Sequence, residues 1–252
     1  MAMNDPDEFA DNIERELRKF SYAGRAAGNK RYLKSDLEHL GASVGEIREV
    51  LKRFTAGHPN LSRLDVLSAA QALWSRPVHE RRMAAVMLLE SRTNLLIAED
   101  LDFLETLIRE ARGWAFVDAI AGDIAGAILV RHPGASRRVD RWALDPDFWV
   151  RRSALLSTLL PHKAGRPLDR FLGYAEAMLD ETMFFIRKAI GWVLREAGKQ
   201  RGDEVFAWLE SRMARVSGVT IREAVKYLSP SQRQSLLAVY GSRRPRHRRT
   251  GR

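Results

Sequence analysis

Residues 114–118, WAFVD, place an aspartate four residues after a tryptophan. Residues three or four apart share a helix face, so Trp114 and Asp118 are expected side by side. The same pattern recurs downstream with cations in place of the acid. Trp149 stands three before Arg152, Trp192 four after Lys188, and Arg195 three after Trp192. Rings interleaved with basic groups suit a sugar–phosphate backbone, the rings meeting bases or sugars and the cations meeting phosphates. An acid among those cations weakens phosphate attraction, so Asp118 needs another reason to be there. Either it pairs structurally with Arg152 or Arg195 of neighbouring segments, or it supplies negative charge where a substrate develops positive charge.

The elements that must position these residues are helices. Strand-type alternation is rare, and Gly and Pro fall between helical-length segments. Segments starting near 80, 116, 150, 186 and 221 share a charged residue followed by small and then apolar residues. Aligning the charge gives Arg82, Asp118, Arg152, Lys188 and Glu223, at spacings of 36, 34, 36 and 35. That is the length of a two-helix repeat. The expectation is an all-α solenoid of HEAT-like repeats, curved, with equivalent positions along one concave, basic face. An ordinary helical bundle is the other arrangement. Glu223 in the same slot shows that an acid there can be purely structural. Helices are expected over 7–27, 31–40, 43–55, 114–131, 147–160 and 182–199 among others, with a capping box from Ser43 and Glu46. Pro133-Gly134, Pro161 and Gly202 read as stops. Trp74, Trp142 and Trp208 lie in apolar stripes and are expected in the core.

Composition narrows the function classes. The chain has 252 residues, 45% of them hydrophobic, which is enough for one domain over 1–240. No apolar run reaches the ~20 residues of a membrane span. Cysteine is absent, which excludes disulfides and thiolate metal sites. The histidines show no HxxxH or HExxH spacing, and no phosphate-cradling glycine loop or GxSxG elbow occurs. No metal or other cofactor is expected. The net charge of +10 is misleading, because the segment 241–252, GSRRPRHRRTGR, holds six arginines and no acid. Without them the Lys and Arg count falls from 42 to 36 against 32 Asp and Glu. The body of the chain is therefore only mildly basic, and the tail reads as disordered. A monomer in the cytoplasm is the plain expectation.

The stretches GWAFVDAI (113–120), FWVRRSALL (148–156) and FFIRKAIGWVLREAGK (184–199) resemble the AlkD-type DNA glycosylases, a HEAT-like-repeat family of alkylation repair. RYLKSDLEHLGA (31–42) and SGVTIREAVKYL (217–228) resemble that family in the same order. The resemblance implies hydrolysis of the N-glycosidic bond of cationic N3- or N7-alkylated purines in double-stranded DNA, without strand cleavage and without a deep base pocket. By motif, Asp118 matches the catalytic aspartate, and Trp114 and Trp192 match the aromatics beside the lesion. Arg152 and Arg195 match backbone-contacting arginines, and Tyr32 matches a tyrosine near the DNA. Lys188 joins the DNA-binding set by its slot. Two departures stand out. Gly113-Trp114-Ala115-Phe116 is less polar than the family's usual first motif, and Leu160 lies where the family carries a lysine. A non-catalytic binder of damaged or branched DNA on the same scaffold, or a protein-binding solenoid, are the competing readings.

Overall fold

The computed structural model describes residues 5–111 and 113–242. They are all-α. No strand forms among the described residues, and a single isolated bridge joins Glu38 to Val78. The chain divides into two compact units, Met1–Val139 and Asp140–Arg252. The first holds α1 (Pro6–Arg18), α2 (Ala23–Leu33), α3 (Val44–Ala56), α4 (Arg63–Trp74), α5 (His79–Ser91), α6 (Leu101–Ala111), α7 (Trp114–Ala119) and α8 (Gly126–Arg131). Helix α9 (Ser136–Trp142) carries the chain across the division. The second holds α10 (Phe148–Leu156), α11 (Leu159–Lys163), α12 (Asp169–Ala177), α13 (Phe184–Gly198), α14 (Gly202–Glu210), α15 (Gly218–Ala224) and α16 (Pro230–Ser242). Helix α16 takes in the first two residues of the expected tail, and 243–252 lie outside the described residues.

Helix pairs stack in register, as the repeat spacing requires. In the first unit α5 packs on α7, and in the second α10 packs on α13 and α13 on α15. These are the helices that carry the aligned charged slot. The repeat length also appears in the side-chain bonds that tie one pair to the next. Arg63 reaches Asp100, Trp74 Nε1 reaches Glu110 and Arg138 reaches Asp102 in the first unit. Tyr174 reaches Asp140, Lys188 reaches Glu223, Arg212 reaches Glu176 and Arg215 reaches Asp180 in the second. All seven bonds join residues 34 to 37 apart. A side chain reaching its own repeat's equivalent in the next is what stacked repeats produce.

The core follows the apolar stripes, and Trp74, Trp142 and Trp208 are buried as expected. The expected capping box is present, with Ser43 Oγ accepting from Glu46 N and the Glu46 carboxylate accepting from Ser43 N. One hub was not legible. Arg81, 1% exposed, donates to the carbonyls of Ala72, Leu73 and Ala10 and to the carboxylates of Glu14 and Asp11. It anchors α1 to the α4–α5 pair.

Three element boundaries differ from expectation, each for a local reason. The helix expected over 7–27 breaks after Arg18, because Tyr22 turns extended and donates its N–H to the Leu40 carbonyl at 3.0 Å. Of the segment 31–40 only 31–33 are helical, as the end of α2. Lys34 takes a left-handed conformation at φ 50°, ending α2, and 35–42 then runs as a strap along the start of α5. There the Glu38 N–H donates to the Pro77 carbonyl, the Glu38 carbonyl accepts from the His79 N–H, and the Glu80 carboxylate accepts from the N–H groups of Leu40 and Gly41 at 2.9 and 2.8 Å. Gly41 sits at φ 89°, and a Cβ on it would fall 2.3 Å from the Tyr22 carbonyl oxygen. The helix expected over 147–160 splits into α10 and α11. Pro161, expected as a stop, lies in the first turn of α11, where its missing N–H costs nothing. The helix over 114–131 forms, with a π-helical turn, Ile120–Ala125, between α7 and α8.

Candidate nucleic-acid interface

The first unit brings together Tyr32, Trp114 and Asp118. Trp114 opens α7 and Asp118 lies one turn on, both half-buried. Tyr32, on the last turn of α2, is 73% exposed. Its ring meets Trp114 edge to face, with centroids 5.8 Å apart and planes at 86°. Such pairs contribute about 0.5–1.5 kcal/mol beyond area, so each ring fixes the other. Behind them Phe116 turns inward against Trp74 and His79. That inward anchor leaves the Trp114–Asp118 side of α7 facing outward. The cleft beside Trp114, lined by Leu33, His79 and Phe116 among others, holds about 10 Å³. A purine base does not fit such a volume.

His79 closes the rear of this group. It is buried, stacks on His39 at 4.5 Å, and has its pKa pushed down to about 4 by burial and by the neighbouring His39. The pair is a neutral floor under the aromatic side of α7.

The second unit carries the cations. Lys188, Trp192 and Arg195 form one stripe of α13, and Lys199 continues it one turn further. Glu223 on α15 gathers them. Its carboxylate, 5% exposed, accepts from Lys188 at 2.6 Å, from Arg195, and from Lys226 at 3.1 Å. Burial pushes the Glu223 pKa up, but the hydrogen bonds from Lys188 and Lys226 and the charges of Arg195 and Lys188 outweigh it and hold it at about 2. Gly191 makes this possible. A Cβ there would come 2.8 Å from the Glu223 Cβ and 2.9 Å from the Thr220 carbonyl oxygen. Thr220 Oγ1 in turn donates to the Arg187 carbonyl at 3.0 Å. So the glycine of IGWVLRE lets α15 lie against α13, and α15 delivers the acid that organises the basic stripe.

Arg152 corrects the sequence reading. It was expected to meet the DNA backbone, yet it is 3% exposed. Its guanidinium donates to the Phe185 carbonyl and lies 5.8 Å from the Phe185 ring centroid. A long cation in a slot that faces its neighbouring repeat meets the second lone pair of a first-turn carbonyl there before it meets solvent. In this position Arg152 joins α10 to the start of α13. Trp149 belongs to the same packing, 4.8 Å from Phe185. Arg82, the slot residue of α5, is also used structurally. It donates to the Trp74 and Glu110 carbonyls and lies over the Trp74 ring at 4.7 Å. The sequence reading missed Lys199 and Lys226 as members of the basic group. Their spacing from Arg195 and Glu223 was the available signal.

The first unit thus carries an aromatic–acid group and the second an aromatic–cation stripe. The profile of the family described as "DNA alkylation repair enzyme" matches residues 13–228. The chain belongs to this family. Its fold is similar to that of a protein described as a predicted DNA alkylation repair enzyme from Enterococcus faecalis. That likeness has a TM-score of 0.75 at 22% identity, over 83% of this chain and 97% of that one. A weaker likeness links it to smu.31 of Streptococcus mutans UA159, with a TM-score of 0.54 at 17% identity, over 73% and 98% of the two chains. At these identities the likeness is one of fold. No curated protein matches the chain. Among the described residues no helix is long and apolar enough to cross a membrane.

Proposed function

We propose that this protein is a monofunctional DNA glycosylase that hydrolyses the N-glycosidic bond of cationic N3- or N7-alkylated purines in double-stranded DNA, acting as a monomer. The observation that carries the reading is the Tyr32–Trp114–Asp118 group. It consists of two mutually braced rings and a carboxylate one helical turn away, on an outward side of α7.

The chemistry suits a single carboxylate. Ordinary glycoside hydrolysis employs two, because the leaving oxygen must be protonated. An alkylated purine already carries positive charge. As its bond to C1′ breaks, the electron pair leaves with the base and neutralises it. Positive charge then develops on the deoxyribose, and Asp118 stabilises that oxocarbenium-like sugar while water adds to C1′ and releases its proton to the solvent. The faces of Trp114 and Trp192 favour the cationic nucleotide by about 0.5–2 kcal/mol each. Lys188 and Arg195, held on Glu223, serve phosphates, and Arg152 serves by positioning α13. No lysine is assigned to the chemistry, so the product is an abasic site in an unbroken strand.

The test is base release from duplex DNA carrying 7-methylguanine or 3-methyladenine, together with bulkier N3 adducts. Asp118→Asn is expected to abolish release while duplex binding persists. Full activity of Asp118→Asn on every lesion that the wild type releases would refute the assigned role. Tight binding with no release of any lesion by the wild type would instead favour a non-catalytic binder of damaged DNA.

A further inference from the structure

Helix α2 is held at its ends and along almost none of its length. None of its residues is buried, and among the described residues no helix packs along it. Its N-cap, Tyr22, makes no capping bond with its side chain, and its first turn carries no acid. A capping side chain and an acidic first turn are what usually secure the start of a helix. The helix has 11 residues, too few for a helix to persist in water unaided. Gly28 lies in its interior, one turn before Tyr32. Nothing comes within 4 Å of where a Cβ on Gly28 would sit. Packing therefore does not require glycine there, and glycine weakens a helix interior relative to alanine.

The two ends are fixed. The Tyr22 N–H donates to the Leu40 carbonyl at 3.0 Å, and the carboxylate of buried Glu80 accepts from the N–H groups of Leu40 and Gly41. Between these ends two side-chain contacts tie the body down. Arg25 pairs with Glu46 at 2.7 Å, both partly in solvent, and the Tyr32 ring stands against Trp114. Closed, α2 thus holds one ring against the site, and Leu33 at its end helps to wall the narrow cleft beside Trp114. A segment with so few buried contacts opens at a lower free energy than the fold around it.

We propose that α2 is a lid that unwinds by itself between fixed ends at Tyr22 and Leu40, and that its opening admits purines with bulky N3 substituents to the Trp114–Asp118 side of α7. The lid stands on the packing of α2 alone. The gating rests on the glycosylase reading.

The lid is tested by hydrogen exchange of the full chain, followed by NMR. The amides of 27–33 should exchange as one group, at least about 100-fold faster than those of α4 once intrinsic rates are divided out. Those of Leu40 and Gly41, held by Glu80, should stay slow. Gly28→Ala should slow the 27–33 group about five-fold, the equivalent of about 1 kcal/mol of helix propensity. Arg25→Gln, which removes the latch to Glu46, should speed it about two- to five-fold. Exchange of α2 no faster than that of α4, or rates unaltered in both variants, would overturn the lid. Gating is read on duplexes carrying 3-methyladenine or 3-benzyladenine, which differ only in the size of the N3 substituent. By shrinking the open population, Gly28→Ala should lower release of the benzyl lesion about five-fold and leave release of the methyl lesion unchanged. The same ratio of the two rates in variant and wild type would overturn the gating. Release of neither lesion by the wild type would refute the glycosylase reading and the gating with it, while the exchange rates still decide the lid.

Discussion

Replacing Glu223 by Gln keeps the shape of the side chain and one acceptor oxygen but removes the charge that Lys188, Arg195 and Lys226 converge on. The carboxylate is 5% exposed and its pKa falls from 4.5 to about 2. At about 1.4 kcal/mol per pKa unit, that depression corresponds to at most about 3.5 kcal/mol of stability. The true figure is smaller, since the partner cations are partly in water and solvent screens them. A loss of about 1–2 kcal/mol is expected at pH 7, or roughly 2–8 °C in melting temperature for a chain of this size. The pH dependence follows from the sign. A depressed carboxylate pKa gives stability that is fully present above the unfolded value of 4.5 and is lost as pH falls through about 2. The wild type should therefore lose this increment between about pH 4.5 and 2, and Glu223→Gln should lack that part of the acid dependence. Denaturant unfolding of both proteins at pH 7 and near pH 3 measures it. Parallel salt titration of duplex binding tests the second half of the argument. Freed of their acid, Lys188 and Arg195 should steepen the salt slope by up to about 0.9. Wild-type stability at both pH values, together with an unchanged salt slope, would refute the assignment of Glu223 as organiser of the basic stripe.

Gly191→Ala places a Cβ 2.8 Å from the Glu223 Cβ and 2.9 Å from the Thr220 carbonyl oxygen, and it should cost about 1–3 kcal/mol by forcing α15 off α13. Equilibrium unfolding would show this, and a neutral result would mean that α15 adjusts freely. Arg81→Ala takes their side-chain donor from the Ala10, Ala72 and Leu73 carbonyls while Glu14 keeps Arg18 and Arg76, and it should cost about 1–3 kcal/mol, read as loss of the α1 region's amide protection. Trp192→Ala should lower release of cationic 7-methylguanine by roughly 2- to 30-fold, the equivalent of about 0.5–2 kcal/mol, with a smaller effect on uncharged lesions. His79, with its pKa depressed to about 4, contributes stability that is present above the unfolded value of 6.5 and lost as pH falls through about 4. His79→Gln should flatten that part of the stability–pH curve, and an unaltered curve would mean that the imidazole stays neutral for another reason.

The legible parts of this structure were those governed by periodicity. The slots Arg82, Asp118, Arg152, Lys188 and Glu223 do fall on stacked helices, because 3.6-residue stripes and a repeat of about 35 residues are properties of the sequence itself. The approach of Trp114 to Asp118 followed from their spacing in the same way. Long-range partners were not legible. Nothing in FWVRRSALL distinguishes an arginine that faces solvent from one that caps the Phe185 carbonyl 33 residues away. The break after Arg18 carries no Gly or Pro, and Lys34 is a non-glycine residue in a left-handed turn, so composition gave no warning of the strap over 35–42. Tyr32 was named by resemblance alone, and its contact with Trp114 depends on how α2 docks, which local sequence does not state.

The π-helical turn Ile120–Ala125 has a consequence for how the α7 face can change. A π turn takes up one residue more than an α turn, so the helix on either side is offset by the share of a turn that one residue occupies, about 100°. Phe116 and Val117 before it and Ile128 and Leu129 after it are all buried. Deleting one residue within 120–125 would let the segment close into a regular α-helix, but the two apolar stripes would then disagree by that rotation. The buried side chains of α8 and those of α7 could not both stay inside, and the loser would carry Trp114 and Asp118 with it. Made at the exposed Asp123, such a deletion removes no side chain assigned to the core or the site and changes the direction in which Trp114 and Asp118 point.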